Sequence, residues 1–66
     1  MNNVEITIII PVFNEINTLE KLLEKINKIN LKKQIIIIDD YSTDGSRQLI
    51  EKFDQDNLKK IFHGKN

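Results

Sequence analysis

Two short stretches of the 66-residue chain hold side chains able to do chemistry on a ligand. The first is Pro11, Val12, Phe13, Asn14 and Glu15; the second is Asp39, Asp40, Tyr41, Ser42, Thr43, Asp44 and Gly45. An aromatic ring such as Phe13 offers a face on which a nucleobase can stack, and carboxylates such as Glu15, Asp39 and Asp40 accept hydrogen bonds from base N–H or ribose hydroxyl groups. Together they suit a nucleoside. Each residue also has a plain structural use. Phe13 can pack back on the following helix as a hydrophobic staple, and Asp39 and Asp40 can form a turn at a strand end. Glu15 alone reads as a solvated loop charge. Ser42, Thr43 and Asp44 are the types that cap a following helix, with Gly45 serving the turn. His63 is the one histidine and there is no cysteine, so it reads as a loop residue and not as a ligand or base.

The elements that must position these clusters follow from hydrophobic period. Ile6, Thr7, Ile8, Ile9 and Ile10 form a β-branched run, apolar on both faces, that ends at Pro11, which cannot donate to a ladder. This is the pattern of a buried parallel strand. After a loop over 12–16, Asn17 stands three residues before Glu20, the spacing of a capping box. Leu19, Leu22, Leu23, Ile26 and Ile29 then recur at helical spacing, with Glu20, Lys21, Glu24, Lys25 and Lys28 on the other face. The spacing predicts an amphipathic helix from Asn17 to about Asn30. Ile35, Ile36, Ile37 and Ile38 predict a second buried strand, closed by Asp39 and Asp40. Leu49, Ile50 and Phe53 give a short helical stripe, and Leu58 to Phe62 a third strand before a loop at His63 to Asn66.

The fold class is therefore α/β: a β-α-β-α-β, Rossmann-like parallel sheet with right-handed crossovers. In such sheets ligands bind outside the carboxyl ends of the strands, where both clusters fall. With strand order 3-2-1, both helices lie on one face, the other face is bare, and the first strand is an exposed apolar edge. Residues 1–66 are thus expected to be the N-terminal portion of a larger α/β domain whose remainder covers that face.

The length admits one small domain. Ten basic residues balance ten acidic ones, which argues against a nucleic-acid binder, because phosphate contacts need clustered Lys and Arg. Without cysteine, and with a single histidine, neither disulfides nor a zinc cage can staple the fold. No basic stretch precedes the first apolar run, as a signal peptide requires. The longest such run, Ile6 to Phe13 interrupted by Thr7, is far below the ~20 residues of a membrane helix. These features predict a soluble chain of a reducing compartment, the cytoplasm.

The run Ile8 to Glu15, IIIPVFNE, followed by a helix and then Ile36 to Ser46, IIIDDYSTDGS, resembles the opening of family 2 glycosyltransferases. These have the GT-A fold and include polyprenyl-phosphate sugar transferases. The resemblance spans nearly all of the chain and the first quarter to third of such a catalytic domain. It implies that Pro11, Phe13 and Glu15 line the nucleotide pocket, with Val12 contributing backbone, Asp40 contacting the base and Asp39 beside it. It also implies a nucleotide-diphosphate sugar donor, with a hexose passed to a lipid-phosphate or saccharide acceptor, at the cytoplasmic face of the membrane where the acceptor is a lipid. Mg or Mn is expected for the full domain, held by an Asp-x-Asp motif further along the chain, as is the carboxylate that activates the acceptor. Neither the ion nor a catalytic residue is assigned to this segment. Asp39 and Asp40 are not that metal motif, since adjacent strand residues point to opposite faces. Tyr41 departs from the pattern, which more often has Gly or Asn there. The alternative is a truncated, inactive remnant that binds nucleotide weakly or serves as an assembly piece, self-associating through the exposed sheet edge.

Two other readings fit poorly. A phosphorelay receiver domain places its acidic pair after the first strand and an Asp after the third, whereas here the pair follows the second strand. A dinucleotide-binding turn needs a Gly-rich cradle after strand one, where this chain has Pro11 to Glu15.

Overall fold

The computed structural model describes residues 3–64. Strand β1 (Ile6–Val12) is followed by helix α1 (Leu19–Asn27), strand β2 (Lys33–Asp40), helix α2 (Ser46–Lys52) and strand β3 (Leu58–His63). The sheet order is β1-β2-β3, and both pairings are parallel. Ile10 lies opposite Ile37, Val12 opposite Asp39, and Asp40 opposite His63. The chain is thus α/β, with strands and helices alternating as in the Rossmann-like N-terminal part of a GT-A fold.

The pleat sorts each strand into two rows. Val12, Ile35 and Ile37 face the helices and join Ile10, Leu19, Leu23, Ile26 and Ile50 in one buried cluster. Burying a side chain of this size stabilises by about 1.5–3 kcal/mol, so this row is the main source of the fold's stability. The alternate row of Ile9, Ile36, Ile38 and Ile61 has no helix over it among the described residues, and Ile9 is 60% exposed. No helix of the described residues is long and apolar enough to cross a membrane.

Five local expectations need correction, the simplest being that His63, expected in a loop, is the last residue of β3 and pairs with Asp40. β1 does not stop at Pro11 but runs through it to Val12. It is an edge strand of this sheet, where a residue without an N–H is tolerated. The Asn17–Glu20 capping box does not form: α1 starts at Leu19, its N-cap Thr18 makes no side-chain cap bond, and the Thr18 hydroxyl instead donates to the Glu15 carboxylate at 3.0 Å. The helix ends at Asn27, not near Asn30, because the Lys28 and Ile29 N–H groups turn back to the Lys25 and Ile26 carbonyls in a tighter last turn. Its apolar stripe narrows accordingly to Leu19, Leu23 and Ile26, leaving Leu22 and Ile29 exposed. Ser42 and Thr43, finally, do not cap α2, whose N-cap is Gly45 at φ 101°, a left-handed conformation open to glycine.

Candidate functional site at the carboxyl edge

What Ser42 and its neighbours do instead is join the two loops at the carboxyl ends of β1 and β2. The Asn14 N–H donates to Ser42 Oγ at 2.9 Å, and the Thr43 N–H returns a bond to Asn14 Oδ1 at 2.8 Å. One residue on, the Glu15 N–H donates to Ser46 Oγ at 3.0 Å, and the Ile16 N–H to Asp44 Oδ2 at 3.0 Å. Asp44 Oδ1 takes the Ser46 N–H at 2.9 Å and the Ser46 hydroxyl at 2.6 Å. The backbone donors of one loop are therefore met by the side chains of the other. Asn14 sits at φ 52°, in the left-handed region that asparagine tolerates. Asp44 is held in its charged form. Partial desolvation pushes its carboxyl up, but the Ser46 hydroxyl and the Ile16 and Ser46 N–H groups outweigh that and hold its pKa below the ordinary 3.8.

Beneath this clasp, Asp39 is fully buried. Its Oδ2 accepts the Ser42 N–H at 3.0 Å and lies 3.5 Å from Arg47 Nη1, while Oδ1 has no hydrogen-bond partner. Arg47 also donates to the His63 carbonyl at 2.8 Å and lays its guanidinium 5.0 Å from the centre of the Phe62 ring. The ends of β2, α2 and β3 are thereby tied at one point. Asp40, one residue on, points the other way, 62% exposed, with its Oδ1 3.7 Å from His63 Nδ1.

The six residues singled out at this edge fall into two groups. Phe13 is 58% exposed, and Pro11, Glu15 and Asp40 are exposed as well. Val12 and Asp39 are buried, Val12 in the core and Asp39 under the clasp. Val12 pairs with Asp39 at the end of the β1–β2 ladder, so Phe13 follows β1 directly while Asp40, still paired with His63, closes β2. The Glu15 carboxylate is engaged by Thr18. Among the described residues no group of three or more His, Cys, Asp or Glu converges on a metal-sized site. Asp40 and His63 alone do not make a ligand set for Mg or Mn. A concavity of about 800 Å³ lies elsewhere, at the amino ends of the strands among Val4, Lys33, Asn57 and Leu58, and has none of these groups.

Sequence reasoning gave Asn14 no role beyond its place in the first cluster, and passed over Ser46 and Arg47. Asn14 carried a usable signal, an asparagine in a loop, where left-handed backbone and side-chain turns are common. Arg47 carried none, because its partners come from β2 and β3.

A parallel sheet with a braced, part-open carboxyl edge is the ligand-binding arrangement of α/β proteins. The sequence profile described as Glycosyl transferase family 2 matches residues 7–66, and the chain belongs to that family. It is 37% identical over 67 aligned positions to an uncharacterized glycosyltransferase of Rickettsia conorii and 31% identical over 67 to one of Rickettsia bellii. All of this chain is covered in both cases, but only 11% and 10% of those proteins, so it spans about a tenth of their length. No solved structure matches at a comparable level.

Proposed function

We propose that this chain is the nucleoside-recognising part of a family 2 glycosyltransferase that draws on a nucleotide-diphosphate sugar and passes a hexose to a lipid-phosphate or saccharide acceptor. The observation that supports this best is the cross-loop clasp, which braces the two loops while Phe13 and Asp40 stay exposed at the carboxyl edge. In this reading the Phe13 ring stacks on the base, and Asp40 accepts from its N–H groups or from the ribose. Pro11 and Glu15 flank them, Val12 presents backbone, and Asp39 holds the loop from below. The charged diphosphate would need a divalent ion such as Mg or Mn, for which the described residues offer no ligand set. Nucleoside recognition is the role this reading gives the segment.

Titration with uridine and guanosine diphosphate, followed by NMR, tests the assignment. Saturable shifts are expected at Phe13, Asp40 and their neighbours. Shifts confined to the amino ends of the strands, around Lys33 and Leu58, would overturn it.

A further inference from the structure

The last residue of the edge that none of these roles absorbs is Tyr41. Its backbone sits at φ 60°, in the left-handed region. Asn14 occupies that region across the clasp, but an asparagine is at home there and a bulky aromatic is not. Nor does Tyr41 gain a core position in return, since its side chain is 44% exposed. Its place in the chain is fixed by its neighbours: Asp40 precedes it, and Ser42, which follows, accepts the Asn14 N–H, so Tyr41 lies in the loop that the clasp joins to the loop of Phe13 and Asn14. Two exposed aromatic residues, Phe13 and Tyr41, thus belong to the two joined loops of one carboxyl edge, with Tyr41 next to Asp40 in the chain. Strain retained at an exposed position is the observation from which a functional role is inferred.

We propose that Tyr41 is a ligand-contacting residue of this site, a second aromatic wall that packs on the nucleoside of the donor beside Phe13. This deepens the donor-site reading and rests on it. No bond is made or broken; the gain is contact between the ring and the bound base or ribose.

The chain has one tyrosine and no tryptophan, so its tyrosine emission reports on position 41 alone. Titrating the chain with uridine diphosphate, and in parallel with guanosine diphosphate, should change that emission saturably, along the same curve as the NMR shifts at Phe13 and Asp40. Tyr41→Asn suits the left-handed backbone, so its melting midpoint should hold or rise by a few degrees, while affinity falls by at least about fivefold. Tyr41→Phe keeps the ring and should keep the affinity. If Phe13 and Asp40 respond to nucleotide while the tyrosine emission stays flat and Tyr41→Asn binds like the parent, this role is overturned and the donor site stands. If neither nucleotide moves Phe13, Asp40 or the emission in the folded chain, the donor site falls, and Tyr41 with it.

Discussion

Asp39 and Asp40 are neighbours in the chain, yet the first is fully buried and the second 62% exposed, because successive strand residues face opposite ways. Their substitutions should therefore separate. Asp39→Ala strips the Ser42 N–H and Arg47 of a buried acceptor and should cost about 1–3 kcal/mol in urea unfolding. Asp40→Ala should leave stability within about 0.5 kcal/mol and weaken nucleotide binding instead. Equal losses of stability in the two variants would contradict this division. Asp44 is the residue through which pH should act. Its pKa lies below 3.8 when folded, so the clasp bonds it makes are complete above that value and are lost as the pH falls through the lower, folded one. The Ile16 and Ser46 amide signals should accordingly titrate with a midpoint below 3.8, and Asp44→Asn should abolish the titration.

At the scale of elements, three strands and two helices were legible from period alone, and so was the opposite facing of Asp39 and Asp40; which of them turns inward was not, because Ile35 to Ile38 are apolar on both faces. The strand termini and the helix caps were not. They depend on partners far away in sequence, as Ser42 does on Asn14 across 28 positions. A capping box is a local rule, and it lost here to a Thr18–Glu15 bond and to the cross-loop clasp. The same pleat that sorts the carboxylates sorts the isoleucines. Ile37, fully buried between β1 and β3, should cost about 2–5 kcal/mol when cut to alanine. At roughly 0.05–0.15 kcal/mol per residue, the margin of so short a chain is about 3–10 kcal/mol, so Ile37→Ala should remove a large part of it. Ile9→Ala, the same chemistry on the open row, should cost less than about 1 kcal/mol. Comparable unfolding midpoints for the two would mean that the helices do not cover the face assigned to them.

For the molecule as a whole, the open row is the dominant physical fact. Ile9, Ile36, Ile38 and Ile61 lie on a sheet face with no helix over it among the described residues, and β1 adds an edge whose backbone groups are free to pair with another strand. Apolar surface of this kind gains about 25 cal/mol for every Å² removed from water. Ten positive and ten negative side chains leave no net charge to oppose contact between copies. We therefore expect the 66-residue chain to self-associate as its concentration rises through the micromolar range. The cause can be read from its salt response. Contact between apolar faces persists or strengthens in salt, whereas association through paired charges weakens as the charges are screened. Ile9→Lys places a charge on the edge strand of the open row without touching the core, and it should shift the association to higher concentration. Sedimentation velocity on both proteins, at low and high salt, decides the matter. A parent chain that stays monomeric throughout would show that this face is stable in water, and the need for a covering partner would disappear.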